Sequence, residues 1–351
     1  MALTNNLKPA GFQPVGGGSL LYKWTESDLS GKTNYRVVVQ LDGYTSVLPD
    51  YEYRPDVNGI VWADIAPLLR SLLALDETVA SRMINTYVKY QAVWDESSDA
   101  QVNLSGDVIY AYVGNNHALN YRTKFDIKSS DGNADPELAT GVFLSYSDIK
   151  IPINKNSYID FLVDGSLPSN AEFRSYKPNG TLYNNASFNG TTHILRSEVF
   201  TPDSTTGVWQ IRVTNSAGTL IYAMFKVEVV EVCSNPLYIR WLNDYGGLAH
   251  YMFDYNQIYG LQVNASDKAK VVECGAYGVT FEQWLMLNEL HRDGIVYNDN
   301  YKQGQFIEDV TDYANPVPLI SIPKDQATQT KRVGHNIEFA FRYPLIANNG
   351  I

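Results

Sequence analysis

A chain of 351 residues exceeds what a single hydrophobic core usually supports, so two or three domains are expected. Its net charge of -11, with no cluster of Lys and Arg, excludes a grip on nucleic-acid phosphates. Aromatic residues make up 13% of the chain and include 25 tyrosines, a bias that favours strands and broad contact surfaces.

Residues 1–18 contain Pro9, Pro14 and the triplet Gly16, Gly17, Gly18, the composition of an extended N-terminal arm. The arm has few apolar anchors, so it is expected to be mobile in isolation and ordered by a neighbouring subunit. The glycines precede neither a Lys-Ser/Thr pair nor a helix, which sets a phosphate loop aside. With Lys8 as the lone early cation and no long apolar run, no secretory leader is expected. No stretch approaches a membrane span, so no membrane partner is expected either.

Residues 19–128 read as a β-rich domain with one short helix. "SLLYKW" and "NYRVVVQL" suggest a half-buried antiparallel pair, with Tyr35, Val37 and Val39 on one face. Ile65, Leu68, Leu69, Leu72 and Leu73 then recur at helical spacing behind Asp64, which suits an N-cap. "INTYVKYQAVW" and "GDVIYAYVG" are two more strands, and "KSSDGNADPELATG" is a polar linker.

Residues 136–232 carry short alternating segments joined by Asn-Gly, Asp-Gly and Ser-Ala-Gly turns, the rhythm of an immunoglobulin-like β-sandwich. Its closing hairpin is read as Val208, Gln210, Ile211 and Val213, a turn at Asn215 to Gly218, then Tyr222, Met224 or Phe225, and Val227. Trp209 is placed over the core, and the Cys-Trp-Cys pattern of antibody domains is absent. Residues 233–351 mix strands with one helix and read as an α+β domain. Thr280 and Gln283 form a capping box, Trp284, Leu285, Leu287 and Leu290 are assigned to the inner face, and Gly294 to the stop. The fold class is thus mainly β and multidomain: tandem antiparallel sandwiches of immunoglobulin or fibronectin type plus the α+β domain.

Little in the chain reads as chemistry. Asp131, Asn133 and Asp135 open like a calcium loop, but Pro136 stands where the sharp turn needs Gly and Val142 where a bidentate Glu belongs. His117, His193, His250, His291 and His335 are scattered singly, and Cys233 and Cys274 are too few for a zinc site or a disulfide scaffold, so two reduced thiols are expected. His291 is assigned to the helix end, where a cation meets the dipole favourably. No Gly-x-Ser-x-Gly elbow occurs, and paired carboxylates for sugar hydrolysis stay open as an alternative only. Asn103, Asn179, Asn185, Asn189 and Asn264 begin Asn-x-Ser/Thr triplets and are read as polar turns. No catalytic, metal or cofactor residue is assigned.

The most distinctive stretch is "NPLYIRWLNDYGGLAHYMF" at 235–253. Leu237, Ile239 and Trp241 alternate along a strand, Asn243, Asp244, Gly246 and Gly247 make a turn, and Tyr251 to Phe253 lead the chain back. Arg240 is expected to pair with Asp244 or stack on a ring. This motif, Arg240, Trp241, Asn243, Gly246 and Gly247, reads as a packing corner.

Its Arg-Trp-Leu-Asn core, followed by Gly-Gly and a Tyr/Phe pair, resembles a segment of uncharacterised virion proteins from tailed phages of Bacteroidetes bacteria, including crAss-like phages. "SLLYKWTESDLSGKTNYRVVVQLDG" and "YRPDVNGIVWADIAPLLRSLL" are similar to the recurrent beginning of those proteins, where a strand pair precedes a Pro-x-x-Asn-Gly turn and an Asp-Ile helix. The resemblance spans residues 15–75 and 225–255 and implies an assembly role without fixing a position in the particle; a tail, neck or baseplate component is the first reading. It implies a virion component, assembled in the host cytoplasm, whose partners are its own copies and other virion proteins. It implies no enzyme and no cofactor. A carbohydrate-binding or receptor-binding protein of the virion, stacking sugars on exposed Trp and Tyr, is the alternative, and a polysaccharide hydrolase the second.

Overall fold

The computed structural model describes residues 3–9, 11–45, 47–73, 82–95, 101–114, 124–127, 139–146, 149–165, 171–187, 194–231, 237–253, 255–264, 267–291, 295–298, 301–302, 305–306, 317–322, 327–330 and 334–342. The chain divides into two compact units, Met1–Tyr121 with His193–Leu195, and Arg122–Thr192 with Arg196–Ile351.

The first unit contains β1 (Leu3–Leu7), β2 (Gly11–Pro14), β3 (Leu21–Glu26), β4 (Thr33–Leu41), β5 (Tyr51–Tyr53), β6 (Ile60–Asp64), α1 (Ala66–Leu72), β7 (Met83–Asp95) and β8 (Gln101–Tyr112). They form a three-stranded sheet, β1-β3-β6, and a five-stranded sheet, β2-β8-β7-β4-β5. One apolar cluster lies between them: Tyr22 and Trp24 from the first sheet meet Val37, Val39, Tyr90 and Ala92 from the second. Trp24 and Tyr90 cross with ring centroids 5.2 Å apart.

Two expectations are corrected here. β3 and β4 do not pair with each other; each pairs within its own sheet. Both strands alternate as expected, but the six-residue connection 27–32 carries no two-residue hairpin signal. The chain therefore crosses from one layer to the other, and the two apolar faces meet head-on. The arm is likewise not free. β1 pairs with β3, β2 runs parallel to β8, and Phe12 and Val15 are both 1% exposed in the core. Arg70 of α1 donates to the carbonyls of Val15 and Gly18 at 2.5 and 3.1 Å, and Lys8 pairs with Asp107 at 2.6 Å. Two buried anchors, Phe12 and Val15, act here together with two backbone ladders.

α1 begins one residue later than read, with Ile65 at the N-cap position. Asp64 nevertheless serves the start: its Oδ1 accepts from the Ala66 and Leu20 N–H groups at 3.0 and 2.9 Å.

The second unit begins with β9 (Lys124–Ile127), β10 (Ala139–Phe143), β11 (Ile149–Pro152), β12 (Ser157–Gly165), β13 (Ala171–Tyr176), β14 (Leu182–Ser187), β15 (Ile194–Phe200), β16 (Gly207–Asn215) and β17 (Ile221–Val230). One sheet runs β15-β12-β10-β9, and the other contains β14-β13-β16-β17-β11. Successive strands are thereby dealt between two sheets as in an immunoglobulin sandwich, with β13, β16 and β17 in the places of strands C, F and G. Phe143 of one sheet meets Phe225 of the other at 5.1 Å.

The closing hairpin is confirmed in position but shifted in phase. Trp209, Ile211 and Val213 point inward against Phe225, Val227 and Val229, whereas Val208 and Met224 are about half exposed. Trp209 is fully buried; its Nε1 donates to the Thr205 carbonyl at 2.9 Å, and its ring meets Tyr183 and Phe200 edge-on.

The remaining elements are β18 (Leu237–Leu242), β19 (Leu248–Phe253), β20 (Tyr255–Asn264), β21 (Asp267–Val279), α2 (Phe281–Asn288), a 3-10 turn (Glu289–His291), β22 (Ile295–Asn298), β23 (Tyr301–Lys302), β24 (Gln305–Phe306), β25 (Val317–Ile322), β26 (Ala327–Thr330) and β27 (Gly334–Arg342). β11 joins them to the sandwich. It runs parallel to β17 on one side and to β19 on the other, so a 13-stranded sheet continues through the segment boundary near residue 232. The chain is therefore mainly β and multidomain, with antiparallel sandwiches followed by a mixed portion that contains α2. The helix keeps its capping box, Thr280 Oγ1 accepting from the Gln283 N–H at 3.2 Å and Gln283 Oε1 from the Thr280 N–H at 3.0 Å. Its buried residues are Gln283, Met286 and Leu287, followed by Leu290, so Trp284 and Leu285 lie at the margin of the inner face.

Candidate functional site

The corner at 237–253 is a hairpin in which β18 and β19 pair antiparallel from Leu237 with Phe253 to Leu242 with Leu248. Nearly every residue of both strands is buried, on both faces rather than one; β19 lies between β18 and β11 in the sheet and also packs near β12. Trp241 is 4% exposed.

Asn243 organises the turn. Its Oδ1 accepts from the Tyr245 and Gly247 N–H groups at 2.9 and 3.1 Å, and its Nδ2 donates to the Leu144 carbonyl at 2.6 Å. The two glycines answer different needs. Gly246 sits at φ 82°, in the left-handed region, while a Cβ on Gly247 would stand 2.5 Å from the Leu144 Cβ. Leu248 donates its N–H to Asp160 Oδ2 at 2.6 Å, and Asp160 is itself fully buried on β12.

Arg240 stands opposite His250 in the ladder, 4% exposed, with its guanidinium 5.9 Å from the Tyr158 ring centroid. Of its two expected contacts, the one with a ring is present. His250 bridges two elements: its Nε2 accepts from the Tyr158 N–H at 3.2 Å, which places the proton on Nδ1, 3.1 Å from the Tyr238 hydroxyl. Lys155, fully buried, sits 5.5 Å over the Tyr238 ring.

At the tip, Glu289 closes the corner against the helix. Its Oε1 accepts from the Tyr146 hydroxyl and, at 3.4 Å, from the Asp244 N–H, and its Oε2 accepts from Trp241 Nε1 at 3.2 Å. Burial, with the Asp244 carboxylate adding to it, pushes the Glu289 carboxyl up to about 7 against the pull of those donors. A carboxyl that titrates near neutrality suits proton transfer in principle. Here both of its oxygens are engaged by side chains and backbone of the corner itself.

Sequence reading placed Arg240, Trp241, Asn243, Gly246 and Gly247, and the structure brings all five into this one corner. It missed Tyr146, Asp160, His250 and Glu289. No local signal marks Tyr146 or Asp160, which reach the turn from roughly a hundred residues away, a separation that only tertiary pairing can close. The calcium-like residues Asp131, Asn133 and Asp135 lie outside the described residues, as do Cys233, His117, His193 and Gly294. Cys274 lies on β21. Among the triplet asparagines, Asn179 accepts from the Thr181 N–H at 3.0 Å in a turn and Asn185 donates to Glu172 at 3.2 Å on β14. Among the described residues, no group of three or more His, Cys, Asp or Glu could hold a metal ion, and no helix is long and apolar enough to cross a membrane.

No protein-family model matches the chain, and no curated protein does. Among solved structures, the CARDB domain of a Pyrococcus furiosus protein, described in complex with di-metal ions, is 20% identical and covers 30% of this chain and 99% of its own, with a TM-score of 0.20. Trypsin-activated alpha-2-macroglobulin from Escherichia coli is 9% identical over 98% of this chain and 24% of its own, with a TM-score of 0.22. A 1.5-MDa bacterial ice-binding adhesin is 11% identical over 98% and 97%, with a TM-score of 0.19. Likenesses this distant say nothing of activity or partners, and the fold assignment rests on the strand order.

Proposed function

We propose that this chain is a structural protein of a phage virion, a tail, neck or baseplate component that assembles with its own copies and with other virion proteins. The observation that supports the reading is how the residues that carry the resemblance are used. Trp241, Asn243 and Gly247 are buried and bonded inward. In "PDVNG", Asp56 Oδ1 accepts from the Asn58 and Ile60 N–H groups at 2.8 and 2.9 Å, and Gly59 leaves no room for a Cβ against the Glu26 carbonyl, 2.5 Å away. These residues shape turns and joints, which is what an assembly component must reproduce faithfully. Mass spectrometry of purified virions that contain this gene tests the reading, together with negative-stain imaging of the isolated protein. Its presence in particles and symmetric assemblies are expected; absence from virions and a strict monomer at high concentration would overturn it.

One observation favours glycan binding as a second reading. Trp62 on β6 is 47% exposed, while Trp24, Trp94, Trp209 and Trp241 are buried, and Lys23 stands 5.0 Å over its ring. An indole on an open sheet face can stack on a sugar ring, with the ammonium donating to its oxygens. Binding on a glycan array that Trp62→Ala abolishes would support this reading; an array without binding would remove it.

A further inference from the structure

The outer face of β13, β16 and β17 carries an arrangement that its own fold does not neutralise. With Trp209, Ile211 and Val213 pointing inward, Gln210 and Arg212 point out, and Arg212 stands opposite Arg174 on one side and Met224 on the other. Like charges directly opposite in neighbouring strands repel. Arg174 has a counter-charge: its Nε donates to Glu172 Oε2 at 2.9 Å, and its guanidinium also reaches the Ser216 carbonyl. Arg212 has neutral partners instead. Its Nε donates to Gln210 Oε1 at 3.1 Å, its Nη2 donates to the same oxygen, and its guanidinium lies 4.2 Å from the Tyr176 ring centroid. Among the described residues it makes no ion pair.

This is a guanidinium fixed in place by an amide and a ring, with its charge unmatched. Such a fork is preorganised for a carboxylate, because little side-chain freedom remains to be lost on binding. Its surroundings suit a protein partner. Met224 and Val208 are 48% and 50% exposed, Lys226 is exposed opposite Gln210, and Arg, Tyr and Met are the residue types enriched at interface centres. The chain itself can supply the carboxylate, since its 38 Asp and Glu outnumber its 27 Lys and Arg.

We propose that the outer face of β13, β16 and β17 docks an acidic surface of a second copy of this chain, with a carboxylate seated on Arg212 and Met224 packed beside it. The contact joins unlike faces, so it propagates head to tail and closes into a ring or extends as a stack. The proposal rests on the assembly reading and specifies its interface.

Sedimentation of the full chain over a range of concentrations tests it, in low salt and in about 0.5 M salt, where screening is short-ranged. Three proteins are compared: wild type, Arg212→Glu and Arg212→Lys. Wild type should self-associate, and more weakly by about tenfold or more in high salt. Arg212→Glu should abolish association while melting no lower than wild type, because a glutamate opposite Arg174 forms a cross-strand pair. Arg212→Lys, which keeps the charge and loses the fork, should fall between them. Association of Arg212→Glu at wild-type strength would overturn the assignment of this face and leave the assembly reading standing. A wild type that stays monomeric at every concentration would overturn the proposal itself, while detection in virions decides the assembly reading separately.

Discussion

Trp241 and Glu289 make opposite contributions to the same corner. Trp241 fills space and donates its one polar hydrogen to Glu289, so its truncation removes a large buried ring and leaves a carboxylate oxygen without that donor. Trp241→Ala should destabilise the second unit by about 3–5 kcal/mol, read as a strong fall in melting temperature. An unchanged melting temperature together with a lost ligand would make the corner a binding site. Glu289 costs stability when ionised. Its carboxyl lies at about 7 in the folded chain against an ordinary 4.5, so between those values the folded state holds a proton that the unfolded state has released. Its contribution is therefore most favourable below about pH 4.5 and is lost as pH rises toward 7, by up to about 3 kcal/mol. Glu289→Gln should show a smaller loss of melting temperature from pH 5 to pH 8 than wild type. Equal slopes in the two proteins would show that Glu289 is not the group responsible. The tryptophan was legible in the sequence from its place in an alternating strand; the glutamate was not, since what raises its pKa is burial and the Asp244 carboxylate, both brought about only by folding.

Elements with local signals were the ones sequence reading placed well. The capping box at Thr280 needs only a hydroxyl and an amide three residues apart, and both bonds form. Thr280→Ala should accordingly cost about 1 kcal/mol. Strand pairing needs information that alternation does not hold: β3 and β4 each show a clear apolar face, yet nothing in either specifies that the two lie in opposite layers. The N-terminal arm failed for a related reason. Its composition suggested too little apolar surface, whereas its attachment comes from backbone pairing with β3 and β8 and from Phe12 and Val15 seated in the core. Deleting residues 1–18 should therefore lower the melting temperature of the first unit by several degrees, through loss of two strands and a burial of about 25 cal/mol per Å² of apolar surface. Truncated protein that melts like wild type would restore the view of a free arm.

At the level of the whole molecule, β11 decides how much of the chain behaves as one body. Its four residues are all buried, and each of its two edges carries a parallel ladder, one to the sandwich and one to the corner hairpin. A fragment that ends at Glu231 keeps the sandwich but leaves the β19 side of β11 uncovered, an open edge of the kind that pairs with other chains. Such a fragment should aggregate in light scattering into larger and less uniform particles than the full chain forms. A stable monomeric fragment would show that four residues are too short an edge to recruit a partner.

The same strand bears on the order of events during synthesis. Lys150 meets Tyr251 roughly a hundred residues later in the chain, so this ladder is a late, non-local contact. A nascent sandwich leaves the ribosome with β11 half-paired and stays so until the corner hairpin has emerged, roughly one to five seconds later at about 5–20 residues per second. In that interval its free edge is a natural target for a chaperone, or for the wrong hairpin of a neighbouring copy on the same message.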